Sequence, residues 1–247
     1  MKKKILVITY KFPPMGGIGT RRWAKLSKEF CGKGYEVHVL TAHYPYEDKV
    51  SWKDDLPETL HIHNYKSKYH PWLLKGHSTR FSRFFSRAFG FFLKKSLFYI
   101  DEAQYDTREI LRKAKEIVKN EGISNVIATG HPVSINHAAA ILKCDIPSLN
   151  LIQDFRDNWN DLSYYSFPGG LSNFRRKLVS VDMEQRAITY SNYVVNVTRD
   201  LTEVMSQRHQ HISKSKFHTI YNFFDMDDYK NIGENKNVNF CISYFGS

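Results

Sequence analysis

Charged and aromatic side chains directly follow a short apolar run near residue 150. The segment Asp154-Phe155-Arg156-Asp157-Asn158-Trp159 comes after residues 148–153, which have the pattern of a buried strand. Charges there cost free energy unless they pair with one another or meet a polar ligand. Two interpretations stay open: an Asp–Arg–Asp network that holds the loop, or a site that binds hydroxyl groups, stacks a sugar face on Trp159 and supplies a general base. For the second, Asp154 and Asp157 are the candidate catalytic residues.

A second candidate site is the glycine-rich segment between the first apolar run and the first helix. Gly16, Gly17 and Gly19 stand at the start of that helix, and Arg21 and Arg22 lie in its first turn. Glycines let a ligand approach the backbone, and a helix N-terminus attracts anions. The spacing is neither Gly-x-Gly-x-x-Gly nor a phosphate-binding P-loop, which excludes those two nucleotide motifs. The segment is either a phosphate-binding loop or a tight turn with two solvated arginines.

Two further loops each contain one polar residue that is a candidate for binding a ligand. His131 lies in Thr129-Gly130-His131-Pro132, between a predicted strand and a helix, and Asn222 follows the last predicted strand of the domain. A lone histidine is more often structural than functional, but ligands of open parallel sheets bind beyond the carboxyl ends of the strands. Both residues are therefore candidates for binding a ligand.

Short β-branched runs alternate with helical patterns along the chain, and they must position these loops. The predicted strands are 4–9, 36–41, 60–65, 125–129, 148–153, 194–197 and 217–221, and the main predicted helices begin near 20, 110, 133, 175 and 201. Such alternation predicts right-handed crossovers. The fold class is therefore α/β, a doubly wound, Rossmann-like parallel sheet.

The composition indicates a globular chain with an excess of positive charge. Of 247 residues, 36 are Lys or Arg and 25 are Asp or Glu, which gives a net charge of +11. No apolar stretch reaches the ~20 residues of a membrane span, and the basic N-terminus is followed too soon by Lys11 and two prolines to be a signal peptide. Three widely spaced cysteines favour a reducing compartment. We expect a cytoplasmic protein.

Part of the positive charge lies in one segment without acidic residues, 59–100. It contains phenylalanines at helical spacing, Phe84 and Phe85 among them, with Arg80, Arg83 and Arg87 on the opposite arc. A basic arc beside an apolar face is typical of a helix that lies on an anionic membrane. The alternatives are a helix that packs on the sheet and, less favoured, a surface for single-stranded nucleic acid.

Two histidine pairs, His61/His63 and His209/His211, have side chains that could bind a metal ion. Neither has a third ligand at metal-binding spacing in the sequence, so we expect no zinc site and no other cofactor. The serines show no nucleophile elbow.

Taken in order, several segments resemble the N-terminal half of a glycosyltransferase family 4 enzyme of the GT-B fold. They are KILVITYKFPPMGGIGTRRW, GYEVHVLTA, DFRDNW and TIYNFFD before ISYFGS, and they span essentially the whole chain. The resemblance implies transfer of a sugar from a nucleotide-sugar donor, with retention of configuration, to a glycan or glycolipid acceptor.

The resemblance also implies roles for the candidate residues. Gly16, Gly17 and Arg21 would border the donor phosphate, whereas the carboxylates, Arg156 and the remaining candidates, His131, Trp159 and Asn222, would line the acceptor cleft. We expect residues 1–227 to form the acceptor-binding domain and residues 228–247 a linker and the first strand of a missing donor-binding domain. Alone, the chain is expected to have negligible transferase activity and to lie peripherally on the inner membrane face. The alternative function is a non-catalytic Rossmann-like module that binds membrane or nucleic acid.

Overall fold

The computed structural model describes residues 3–48, 52–70, 73, 84, 100–157, 159–160 and 171–229. Within them the strands are β1 (Lys4–Thr9), β2 (Glu36–Ala42), β3 (His61–Tyr65), β4 (Asn125–Gly130), β5 (Asn150–Phe155), β6 (Tyr193–Asn196) and β7 (Phe217–Thr219). The helices are α1 (Ile18–Gly32), α2 (Thr107–Glu121), α3 (Ser134–Asp145), α4 (Leu171–Tyr190) and α5 (Arg199–Arg208). Short 3₁₀ turns occur at Lys53–Asp55, Gln104–Asp106, Lys214–Lys216 and Met226–Tyr229.

The described strands form a single parallel sheet, in the order β3-β2-β1-β4-β5-β6-β7. The order reverses direction at β1, whose neighbours are β2 and β4. In such a sheet a crevice opens beyond the carboxyl ends of the strands at the reversal point. This confirms the predicted doubly wound, Rossmann-like α/β fold.

The sheet buries both of its faces, as its continuous apolar strands predict. Leu6 and Ile8 of β1 pack with Ile110 and Ala114 of α2 and with residues of α3. The alternate β1 residues, Ile5 and Val7, pack on the other face with Trp23 of α1. Helix α1 and helices α2 and α3 therefore cover opposite faces of the sheet.

The structure corrects one element boundary that matters for the site. The sequence predicts that β5 ends at residue 153, but the strand runs to Phe155 because its ladder with β4 continues through Thr129↔Asp154 and Gly130↔Phe155. Asp154 is therefore a strand residue under α1, and the loop begins at Arg156.

The predicted membrane-facing residues Arg80, Arg83, Phe85 and Arg87 lie outside the described residues, as do residues 230–247 of the predicted linker and strand. Phe84 is described, and its side chain is exposed. Within the described part of the chain, none of the helices combines the length and the apolar character needed to cross a membrane.

Candidate functional site

The carboxyl ends of the central strands and the start of α1 surround a cavity of about 500 Å³. Basic side chains dominate its lining, with Asp157 as the one carboxylate among the described lining residues. The lining comprises Gly19, Arg21, Arg22, Lys25, His131, Arg156, Asp157, Asn222 and Phe223. The structure thus brings together the loops after β1, β4, β5 and β7, as the sheet-edge rule predicts.

Asp154 is held below the cavity by three groups that occupy both carboxylate oxygens. Oδ1 accepts from Arg22 at 3.2 Å, and Oδ2 accepts from Trp23 Nε1 at 2.8 Å and from Thr129 Oγ1 at 3.0 Å. The residue is only 2% exposed, and it is absent from the cavity lining. A general base must reach the proton it abstracts, which this geometry does not permit. Asp154 instead fixes α1 to the sheet.

Arg22 links Asp154 to the segment after β7. Its guanidinium also donates to the backbone oxygens of Ile220 and Tyr221 and, at 3.1 Å, to Oδ1 of Asn222. Because the Arg22–Asp154 pair is buried, each charge needs the other to compensate for its lost hydration. Asn222 and Arg22 both line the cavity, and their hydrogen bond joins the segment after β7 to α1.

Unlike Arg22, Arg156 is held by backbone oxygens and not by the carboxylate of any described residue. It donates to three backbone oxygens: those of Gly130 at 2.8 Å, Gly19 at 2.5 Å and His131 at 3.3 Å. Burial lowers the pKa of Arg156, although Asp154 and Asp157 oppose this effect, and an arginine remains charged near neutral pH. In the described structure no carboxylate forms a salt bridge with this guanidinium. A largely buried cation on the cavity wall thus lacks a directly paired anion.

Gly19 leaves room for this approach of Arg156 to α1. A Cβ at Gly19 would lie 2.9 Å from an Arg156 guanidinium nitrogen, closer than real Cβ contacts. Gly16 and Gly17, which the sequence assigns to the donor phosphate, do not line the cavity. The Gly16 amide donates to Asp48 Oδ2 at 2.7 Å, and Gly17 is the N-cap residue of α1, with a φ of 98°. Their positions therefore define the turn, while Gly19 forms the wall.

His131 and Asp157 also line the cavity, beside Arg156. Their closest atoms, Nε2 and Oδ2, are 3.7 Å apart, and the Asp157 side chain is 54% exposed. Burial lowers the pKa of His131 despite the opposing charge of Asp157, so the ring is neutral at pH 7. A neutral imidazole beside an accessible carboxylate suits a polar, uncharged ligand group such as a hydroxyl.

Trp159 lies outside the cavity, in contrast to the predicted stacking role. It is 2% exposed and packs in an apolar cluster with Phe155, whose ring centroid is 6.3 Å away. Burial of the large indole ring in this cluster is favourable in free energy, and exposure of the ring to a polar cleft would forgo that gain. The structure therefore gives Trp159 a packing role.

Lys25 is a cavity residue that the sequence reasoning missed. Its ammonium contacts carboxylates of Asp55 at 3.0 Å, Asp225 at 2.9 Å and Asp228 at 2.6 Å. Burial lowers the Lys25 pKa, but hydrogen bonds to Asp228, Asp225 and Asp55 outweigh this and raise it. Arg21 and Lys25 are four positions apart, which places both side chains on one face of a helix. This spacing is the feature of the sequence that identifies Lys25 as a neighbour of Arg21.

Comparisons with known proteins show the class of fold. The catalytic domain of Starch Synthase IV from Arabidopsis thaliana, bound to ADP and acarbose, matches with a TM-score of 0.52 and 15% identity over 93% of this chain and 53% of that chain. LpCGTa in complex with UDP matches with a TM-score of 0.51 and 11% identity over 91% of this chain and 55% of that chain. No protein-family model matches the sequence, and no curated protein does either.

The chain therefore has the Rossmann-like fold of one half of a GT-B glycosyltransferase, the class to which the resemblance pointed. It spans about half the length of the two enzymes, and identities this low show the fold alone. Membership of glycosyltransferase family 4 in particular stays a prediction.

Proposed function

We propose that this chain is the acceptor-side half of a retaining glycosyltransferase that uses a nucleotide-sugar donor. The observation that carries the proposal is Arg156, a largely buried cation without a paired carboxylate on the wall of a basic cavity. A buried charge of this kind is stabilised by an anionic ligand. A nucleoside diphosphate supplies such an anion, and the two structures of similar fold contain UDP or ADP.

The cavity has room for more than a diphosphate. Arg21 forms a salt bridge with Asp228, and Arg22 with Asp154, so Arg156 is the cavity arginine without a salt bridge among the described residues. We assign Arg156 and Arg21 to the donor diphosphate, which moves Arg156 from the acceptor side. His131 and Asp157 are assigned to an acceptor hydroxyl, with Asp157 in place of Asp154 as the candidate catalytic carboxylate.

The acceptor in this proposal is a glycan or glycolipid, and the protein is cytoplasmic and peripheral on the inner membrane face. Residues 228–247 lead into the donor-binding half. The alternative, a non-catalytic module for membrane or nucleic acid, is not favoured because the similar folds belong to glycosyltransferases.

The test is binding of UDP and ADP to the purified chain by calorimetry, with uridine and adenosine as ligands that lack phosphate. We expect a diphosphate to bind weakly, because in this proposal the donor-binding half supplies most of the donor contacts, and the nucleosides to bind at least tenfold more weakly still. Arg156→Gln removes a charge-assisted contact worth about 1.5–3 kcal/mol, which corresponds to roughly a 10- to 100-fold loss of affinity.

Arg186→Gln is the matched control, because it removes the same charge from an exposed residue of α4. Asp157→Asn should leave diphosphate affinity unchanged or raise it, since it removes the carboxylate from the described lining. Equal binding of nucleoside and nucleotide, or equal affinities in the Arg156 and Arg186 variants, would contradict the proposal.

A further inference from the structure

Four potential metal ligands share one face of the sheet at the beginnings of β2 and β3. Glu36 and His38 belong to β2, and His61 and His63 belong to β3. The parallel register pairs His38 directly with His61. The cluster lies at the amino ends of these strands, whereas the cavity lies at the carboxyl ends.

The rings of this cluster are in direct contact. His38 stacks on His61 with centroids 4.6 Å apart and on His63 with centroids 5.3 Å apart. His38 Nδ1 is 3.0 Å from His63 Nε2, and His38 Nε2 is 3.2 Å from Glu36 Oε1. The central ring, His38, thus has a hydrogen-bonding partner at each nitrogen.

The Glu36–His38 distance matches that between two ligands of one metal ion. Two donors that are each about 2.0–2.1 Å from Zn²⁺ in tetrahedral geometry lie about 3.4 Å apart. The Glu36–His38 contact is 3.2 Å, and one donor atom each from Glu36, His38 and His61 lies within 4.8 Å of the others. His61 is exposed, and binding requires its ring to move until its donor atom is equally close to the other two.

The second nitrogen of His38 is already oriented for ligation. If His38 Nδ1–H donates to His63 Nε2, the lone pair of Nε2 points towards Glu36 and is available to a metal. Ligating histidines almost always have their other nitrogen held in this way.

The surrounding charges are compatible with a bound cation. Lys4 contacts Glu36 at 2.8 Å, and it also lies 3.4 Å from Glu121 at the end of α2. A metal on Glu36 would displace Lys4 towards Glu121, which is already within reach.

We propose that Glu36, His38 and His61 form a site for a divalent transition-metal ion such as Zn²⁺, with His63 as the residue that positions His38. Imidazole and carboxylate ligands suit zinc, nickel and copper. The ion would cross-link β2 to β3, a strand that the described sheet pairs on one side only. The proposal is independent of the glycosyltransferase function.

The experiment measures Zn²⁺ binding to the full chain by calorimetry and the melting temperature with and without Zn²⁺. A ligand that binds only the folded state raises the melting temperature. His61→Gln is the principal variant, because His61 is exposed and its replacement leaves the core intact. His43→Gln, another exposed histidine near the opposite end of β2, is the matched control.

We expect Zn²⁺ to bind the wild type and the His43 variant equally and to stabilise both. His61→Gln should bind about 100-fold more weakly, and His63→Leu about 10- to 100-fold more weakly, as for other residues that orient a metal ligand. Circular dichroism confirms that the variants are folded. No binding to the wild type, or equal binding to the His61 and His43 variants, overturns the proposal.

Discussion

Asp154 and Asp157 are three positions apart, yet their environments give them opposite properties. Asp154 is buried against Arg22, Trp23 and Thr129, while Asp157 is more than half exposed at the cavity rim. The difference arises because β5 continues through Asp154 and ends at Phe155. One carboxylate is therefore part of the framework, and the other is accessible to a ligand.

This contrast predicts that replacement of each aspartate by asparagine changes the free energy of unfolding by a different amount. Asp154→Asn leaves Arg22 without its buried counter-charge and should lower the free energy of unfolding by about 3–5 kcal/mol. Asp157→Asn should change it by less than about 0.5 kcal/mol, as for most surface substitutions. Urea denaturation of both variants measures the difference. Similar stabilities of the two would show that Asp154 is not the structural member of the pair.

At the level of elements, α1 carries most of the cationic cavity wall and binds the segment after β7. Arg21 donates to Asp228 and to the backbone oxygen of Phe223, and Lys25 contacts Asp225 and Asp228. The Arg21 guanidinium also lies 5.2 Å from the Trp52 ring centroid, within cation–π range. The helix thus holds the chain in place just before the proposed domain boundary.

The predicted basic, phenylalanine-rich helix around residues 80–95 is the second element with a testable role. Each Lys or Arg near an anionic bilayer contributes about 1 kcal/mol, so four or five should give reversible binding. We expect the chain to co-sediment with anionic liposomes but not with neutral ones, and Arg80→Gln combined with Arg83→Gln to reduce binding. The control is the pair Arg112→Gln and Arg186→Gln, on exposed helix faces. Equal sedimentation with both lipid types would contradict the interfacial prediction.

At the scale of the whole molecule, the carboxyl group of Asp101 makes the stability of the folded chain depend on pH. Its carboxylate is buried and accepts from the backbone amides of Ala103 and Ser134. Burial raises the pKa of Asp101 to about 6. Since the folded pKa lies above the unfolded value, this group contributes stability that is complete below about pH 4 and is lost as the pH rises through 6.

Asp101→Asn isolates this effect, because the remaining groups titrate alike in both proteins. Between pH 5 and pH 8 the wild type should lose about 1 kcal/mol of stability relative to the variant. Urea denaturation at the two pH values provides the measurement. A wild type–variant difference that is the same at both would show that Asp101 has an ordinary pKa in the folded state.

The sequence by itself determined the fold class and the loops that meet at the site. Apolar periodicity locates strands and helices because burial of those side chains drives their formation, and Lys4–Thr9 was predicted without error. The parallel arrangement follows from the alternation of strands and helices, and the location of a cavity follows from the parallel sheet. Each of these inferences depends on local pattern or on a general topological rule.

Only the tertiary structure decided which side chains meet. The end of β5 depends on its ladder with β4, so the burial of Asp154 could not be read from residues 148–159 alone. Two of the three ligands of the proposed metal site, Glu36 and His38, come from β2, and they lie beside His61 only because the register pairs His38 with His61. Pairings between distant segments depend on strand register and packing, whereas sequence periodicity reports only which face of its own element a side chain occupies.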